Sequence, residues 1–153
     1  MSIWPLISKI KITVKSNLEN MYAIDLAWNE RRWEDYGSLL ADDLIAYASG
    51  ETIPHSKQEH IERAKSFCQS FPDNIIQMKP YLELFEGENG MTCSVAWISG
   101  TLKVELPIEG TVIKPNNQAF DVTFTAICKW RDGKIAEQRE YFDTVLMMQQ
   151  LNK

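Results

Sequence analysis

Three polar side chains at alternate positions near the C-terminus, Arg139, Tyr141 and Asp143, could carry out acid–base chemistry on a bound molecule. Side chains alternate between the two faces of a strand, so these three would share one face with Ile135 and Glu137. A buried Asp can act as a general acid or base, and an Arg or Tyr can stabilise an oxyanion. The opposite face would hold the rest of the strand, Lys134, Ala136, Gln138, Glu140 and Phe142.

Each of these three candidates also has a purely structural interpretation. Asp143 precedes the run VLMMQQL, and Asp before a helical segment is a favoured N-cap, so the cap and the acid–base role have about equal weight. Arg139 could bind a carboxylate of a ligand, pair with Asp143 or Glu137, or face solvent. Tyr141 could donate a hydrogen bond to an enolate or bury its ring.

Five further aromatic residues are candidates for contacting a ligand in a pocket: Tyr47, Trp28, Trp97, Phe124 and Trp130. Aromatic walls indicate an apolar or planar ligand. The second histidine, His60, is five positions after His55, which does not match the usual zinc-binding spacings. We therefore expect no metal, and interpret His60 as a surface helix residue and Asp25 as a solvent-exposed flank of the first helix.

Helical and strand patterns are expected to position these residues. Apolar spacing of three and four predicts helices over 16–29, 33–41 and 57–71. Alternating or apolar runs predict strands over 44–49, 75–86, 91–106 and 118–131, with a loop over 107–117. Asp132-Gly133 predicts a tight β-hairpin between the last two long strands, and a short helix ends the chain. Helices followed by a meander indicate an α+β fold, with helices on one face of a curved antiparallel sheet.

Composition limits the classes of function. The 153 residues form one domain, expected over 16–153, with an N-terminal extension over 1–15. A net charge of −5 argues against nucleic-acid binding. The three cysteines are widely spaced, which is typical of reduced thiols in a cytoplasmic protein. No apolar run is long enough for a membrane span, and lysines interrupt the only signal-like segment.

Several local strings resemble the nuclear transport factor 2-like superfamily, and within it the SnoaL-like polyketide cyclase group, over about 18–151. The strings are Ala27-Trp28-Asn29, Leu40-Ala41-Asp42-Asp43, Phe71-Pro72-Asp73, KWRDGKI at 129–135 and the segment 137–151. The resemblance implies a cone-shaped α+β barrel in which three N-terminal helices and a curved sheet close around one apolar pocket, commonly as a homodimer.

The resemblance also implies a ligand-binding residue and a function. His55 lies in the loop before the third helix, where members of the family often carry a residue at the mouth of the pocket. Cyclases of this group use an Asp at the end of the last strand as acid/base in an aldol closure, and Asp143 matches that position. We therefore expect a cofactor-free cyclase or isomerase acting on a small apolar or aromatic carbonyl compound. The polar partner that the family often carries near Ala126 is missing, so a non-catalytic ligand-binding or dimerisation module is the alternative. Epoxide hydrolysis by Glu137, Arg139 and Asp143 ranks third.

Overall fold

The computed structural model describes residues 14–108 and 110–153, so most of the expected extension over 1–15 lies outside the described residues. Within those ranges the helices are α1 (Asn17–Asn29), α2 (Trp33–Ser38), α3 (Lys57–Ser70) and α4 (Thr144–Leu151). The strands are β1 (Leu40–Tyr47), β2 (Ile75–Ile76), β3 (Glu83–Glu86), β4 (Thr92–Thr101), β5 (Leu106–Ile108), β6 (Thr111–Ile113), β7 (Ala119–Arg131) and β8 (Lys134–Phe142). The predicted α+β class is confirmed.

The first helix begins where the sequence favours a start. The Ser16 side chain accepts a hydrogen bond from the Glu19 N–H at 3.1 Å, and the Glu19 carboxylate accepts one from the Ser16 N–H at 2.8 Å. This reciprocal capping box satisfies two N–H groups that the helix itself cannot. The second helix ends at Ser38, three residues earlier than predicted, because Leu40 already pairs with Ile135 as the start of β1.

The main sheet has the strand order β1-β8-β7-β4-β2, and β3 also pairs with β4. Three details differ from the prediction. The strand expected over 75–86 is divided into β2 and β3 around Pro80, which lacks the N–H needed for a sheet ladder. The loop expected over 107–117 contains the β5–β6 hairpin. The pair β1–β8 is parallel, whereas the rest of the main sheet is antiparallel.

The sheet curves around the helices but does not close, so the predicted barrel is an open cone. Its inner face packs against α1 and α3, and burial is nearly complete for Phe120, Val122 and Ala126 of β7. The terminal helix α4 covers the far end with Met147 and Leu151. Among the described residues, none of the helices is long and apolar enough to cross a bilayer.

The hairpin at Asp132-Gly133 forms as predicted, with positive φ at both residues and Arg131 opposite Lys134. One residue later the register shifts. Trp130 lies opposite Ile135, whereas Lys129 lies opposite Glu137, so Ala136 is an extra residue in β8. Such a β-bulge reverses the alternation of side chains beyond it.

The bulge decides which face of β8 each polar side chain occupies. Ile135 is fully buried on the inner face, and Gln138, Glu140 and Phe142 lie on that same face. Arg139, Tyr141 and Glu137 therefore point to the outer face. The prediction that Arg139 and Tyr141 share a face with Ile135 is wrong, because it assumed uninterrupted alternation.

Candidate functional site

A cavity of about 150 Å³ lies between the inner face of the sheet and helices α1 and α3. Its wall is mainly apolar and includes Ile24 and Trp28 of α1, Phe67 of α3, and Phe120 and Phe124 of β7. A cavity of this size in an apolar core can hold a single aromatic ring. The cavity therefore has room for a ring-sized apolar group.

Glu140 brings a carboxyl group into this apolar cavity from strand β8. Its side chain is 18% exposed, and burial raises the pKa of Glu140 to about 7, because low polarity penalises the charged form. The Gln138 amide donates a hydrogen bond to Glu140 Oε1 at 2.6 Å. A carboxyl group that titrates near neutrality can both accept and return a proton at physiological pH.

Asp25 supplies a second carboxyl group from helix α1. It is 7% exposed, so the interpretation of Asp25 as a solvent-exposed flank is wrong. Burial raises the pKa of Asp25 to about 7, the hydrogen bond from Tyr81 at 2.8 Å opposes that rise, and the charge of Glu140 adds to it. Because the two carboxyl groups repel each other when both are ionised, one of them tends to keep its proton.

A chain of hydrogen bonds leads from the protein surface to the cavity wall. Glu51 Oε2 is 3.1 Å from His55 Nδ1, His55 Nε2 is 2.9 Å from His60 Nδ1, and His60 Nε2 is 3.0 Å from the Tyr36 hydroxyl. His60 is only 5% exposed, so its predicted position on the surface is wrong. Tyr36, His55 and His60 all line the cavity.

The protonation states give this chain a direction. Burial alone would raise the pKa of Glu51, but hydrogen bonds from Arg63 and the Ala48 N–H lower it overall, so Glu51 is a carboxylate. Burial lowers the pKa of His55, and it lowers that of His60 to about 4, so both rings are neutral. His55 Nδ1 then donates to Glu51, and His60 Nδ1 donates to His55 Nε2. The Tyr36 hydroxyl donates to His60 Nε2.

Gln138 presents a second polar group at the cavity. The side chain is 6% exposed, and its Oε1 has no hydrogen-bond partner in the described part of the chain. The amide is oriented so that its N–H donates to the Glu140 carboxylate. The cavity wall thus contains a buried acceptor that no side chain satisfies.

Three of the predicted site residues line the cavity: Trp28, His55 and Phe124. Trp28 is held by its indole N–H, which donates to Asn74 Oδ1 at 2.6 Å. His55 is also tied to β1 by backbone hydrogen bonds with Ala46, which explains why a loop residue reaches the interior.

The other predicted ligand contacts, Tyr47, Trp97 and Trp130, do not line it. Trp97 is 44% exposed on the outer face of the sheet. The Tyr47 ring lies 4.1 Å below the Arg139 guanidinium, also on the outer face. Trp130 lies at the hairpin end of β7, where its indole N–H donates to Thr92 Oγ1 at 2.9 Å.

The three predicted catalytic side chains also lie outside the cavity. Tyr141 is 47% exposed, and Arg139 Nε is 3.4 Å from Glu137 Oε1 on the outer face. Asp143 Oδ1 accepts a hydrogen bond from the Leu146 N–H at 2.8 Å, so this side chain is the N-cap of α4. The structural interpretation of Asp143 matches this geometry, and the trio needed for epoxide hydrolysis does not meet at the cavity.

A wider groove of about 850 Å³ adjoins the cavity between α4 and the β5–β6 hairpin. It is lined mainly by apolar side chains, among them Leu106, Ile108 and Met148. Phe67 and Phe142 contribute to both spaces, so these two rings separate the groove from the cavity.

The sequence of the chain matches a known protein family. The family model for SnoaL-like polyketide cyclases matches residues 19–151. None of the curated proteins compared with the chain matches it.

Solved structures share the fold at low sequence identity. One is IdmH, a candidate polyketide cyclase from Streptomyces antibioticus, with 18% identity, a TM-score of 0.76 and coverage of 91% of this chain and 100% of that chain. A candidate polyketide cyclase from Pseudomonas putida has 16% identity, a TM-score of 0.77 and coverage of 90% and 98%. AclR, a candidate hydroxylase from Streptomyces galilaeus, has 15% identity, a TM-score of 0.75 and coverage of 89% and 95%.

Proposed function

Because the chain belongs to the SnoaL-like polyketide cyclase family, we propose that it is a cofactor-independent cyclase or isomerase in which Glu140 is the acid/base. The observation that supports this most is the position of Glu140, whose carboxyl group lies in an apolar cavity with its pKa raised to about 7. The role expected of Asp143 thus passes to the carboxyl group three residues earlier, on the inner face of β8.

In the proposed reaction, ionised Glu140 removes a proton from a carbon beside a carbonyl group of the ligand. The resulting enolate attacks a second carbonyl carbon to close a ring, or it is reprotonated at another carbon to shift a double bond. Glu140 then returns the proton, so no net proton is gained or lost. Asp25, when protonated, can donate a hydrogen bond to the developing oxyanion.

The histidine chain has a positioning role in this proposal. His60 Nε2 lies 3.7 Å from Glu140 Oε1, close enough for a charged imidazole to stabilise the carboxylate. The hydrogen bonds from Tyr36 and to His55 favour a neutral His60. A neutral ring leaves the pKa of Glu140 near 7, as a base acting at physiological pH requires.

The test uses cyclohexanone, a ketone whose ring suits the cavity. The full-length protein is incubated with it in D₂O at pH 8, and NMR follows exchange of the hydrogens beside the carbonyl. We expect exchange faster than in buffer containing the Glu140→Gln variant at the same concentration. If cyclohexanone binds but wild-type protein does not accelerate its exchange, the proposed chemistry is wrong and a ligand-binding role replaces it.

We also propose that a second copy of the chain covers the outer face of the sheet. Four large apolar or aromatic side chains there are between 44% and 53% exposed: Ile45, Phe85, Trp97 and Tyr141. The pairing of β1 with β8, β3 with β4, β4 with β7 and β7 with β8 places them on the same side as Thr123 and Thr125. Light scattering after gel filtration should give the mass of a dimer for wild type and of a monomer for Trp97→Lys. A monomeric wild type would rule the dimer out.

A further inference from the structure

The buried Gln138 Oε1, which has no hydrogen-bond partner in the described part of the chain, indicates which chemical group a ligand would bring to the cavity. A buried amide oxygen without a hydrogen bond costs free energy that the fold would recover if a bound molecule supplied a donor. Gln138 Oε1 is such an atom among the described residues, and its side chain lines the cavity. Gln138 Nε2 donates to Glu140 Oε1, so while Glu140 is ionised a flip of the amide would break that hydrogen bond.

The donors around the cavity do not supply the missing hydrogen bond. The Tyr36 hydroxyl is paired with His60, the Tyr81 hydroxyl donates to Asp25, and the Trp28 indole N–H donates to Asn74. While Glu140 and Asp25 are ionised, the polar wall of the cavity therefore has an excess of acceptors. A ligand that complements this wall must bring a donor of its own.

We propose that Gln138 Oε1 accepts a hydrogen bond from a hydroxyl group of the ligand, and that Gln138 selects for hydroxylated, ring-sized compounds such as enols, phenols or cyclic alcohols. The proposal rests on the proposed function only in placing the ligand in the same cavity. It does not require Glu140 to transfer a proton. In a cyclisation, the recognised group would be an enol or hydroxyl of the ring being formed.

Phenol and toluene test this inference, because they have nearly the same shape and differ in the hydroxyl group. Calorimetric titration of the full-length protein at pH 8 keeps most of Glu140 ionised, since its pKa is about 7, so its carboxylate accepts from Gln138 Nε2 and Gln138 Oε1 stays available to a ligand. We expect wild-type protein to bind phenol at least tenfold more tightly than toluene, although toluene is the more hydrophobic compound.

The variant Gln138→Met removes the acceptor and keeps an unbranched side chain of similar length. It should reduce the preference for phenol at least tenfold, whereas Gln58→Met, an exposed site on α3, should leave the preference unchanged. Wild-type measurements alone can overturn the inference, so it does not depend on the variant folding.

Three results would overturn the inference: equal or tighter binding of toluene by wild type, an unchanged preference in folded Gln138→Met, or no binding of either compound. Failure of the proposed catalysis gives a different pattern. In that case phenol still binds with the Gln138-dependent preference, but the exchange of cyclohexanone hydrogens does not exceed that of the Glu140→Gln control.

Discussion

The two faces of strand β8 carry similar polar residues in very different surroundings. On the outer face, Glu137 is 25% exposed and lies 3.3 Å from Lys129 and 3.4 Å from Arg139. On the inner face, Glu140 lies in the cavity, where burial raises its carboxyl pKa to about 7. The two glutamates are three residues apart in the sequence, yet only the inner one lies in the cavity.

The difference shows that the environment, more than the residue type, decides which carboxyl group is chemically useful. Ion pairs at the surface are screened by water and contribute little to stability. In the cavity, a glutamate carboxyl group is removed from water, and the loss of hydration destabilises its charged form. The outer Arg139 and Glu137 form a surface ion pair, whereas burial of the inner Glu140 raises its carboxyl pKa to about 7.

The largest effect should come from exchanging Glu for Gln on each face in turn. Glu140→Gln removes the proposed base, and loss of a general acid–base group typically slows a reaction about 10²- to 10⁴-fold. Glu137→Gln removes only surface ion pairs, so its exchange rate with cyclohexanone should stay within about twofold of wild type. Comparable losses in both variants would mean that the inner face has no special role.

The second comparison is between the hydroxyl groups of two tyrosines, the buried Tyr36 and the half-buried Tyr47. Tyr36→Phe removes the hydroxyl that donates to His60 Nε2, and a buried group left without its partner costs about 1–3 kcal/mol. Tyr47→Phe keeps the ring below Arg139 on the outer face, and should change the free energy of unfolding by less than about 0.5 kcal/mol. Urea denaturation measures both values. Equal losses would show that the chain through His60 adds no stability.

The pH dependence of stability separates the two faces in a third way. The pKa of Glu140 is raised to about 7 from 4.5, so the folded protein holds this proton to higher pH than the unfolded chain does. The contribution of this bound proton to the free energy of unfolding is fully present below pH 4.5 and is lost as the pH rises through 7. Gln cannot ionise, so Glu140→Gln should gain about 1 kcal/mol relative to wild type between pH 6 and pH 8.

Thermal or urea unfolding at the two pH values measures this gain, and Glu137→Gln is the matched control. The pKa of His60 is lowered to about 4, so protonation of His60 destabilises the fold as the pH falls through 6.5. His60 keeps that opposite dependence in Glu140→Gln. Asp25 loses the charge of Glu140 that helps to raise its pKa, and this change adds to the gain. A gain of the same size in Glu137→Gln would contradict the assigned difference between the faces.

Much of the fold could be predicted from local sequence. The capping serine of α1, the apolar spacing of α3 and the Asp132-Gly133 turn all depend on residues close together in the chain. The family resemblance supplied the arrangement of these elements. The parallel β1–β8 pair and the open edges of the sheet depend on contacts between distant residues, which local patterns do not encode.

The site was harder to predict because one extra residue in β8 changes which of its side chains point into the cavity. Perfect alternation places Arg139 with Ile135, but the bulge at Ala136 moves Gln138 and Glu140 to the inner side. No residue in this stretch is a Gly or Pro that would indicate a bulge. Asp25 did carry a signal, since it is an acid within an apolar helix run. The hydrogen bond to its buried carboxyl group comes from Tyr81, 56 residues away, which local patterns do not reveal.

Asp143 provides the smallest and most direct test of the face assignment. Its carboxylate accepts the Leu146 N–H at the start of α4, so Asp143→Ala should lower the free energy of unfolding by about 1 kcal/mol, as N-cap removal usually does. Asp143→Asn retains a side-chain acceptor at the cap and should lose less. Because Asp143 lies outside the cavity, neither change should alter the exchange of cyclohexanone hydrogens. A large loss of exchange in folded Asp143→Asn would return the catalytic role to Asp143 and would require β8 and α4 to move its carboxylate inward.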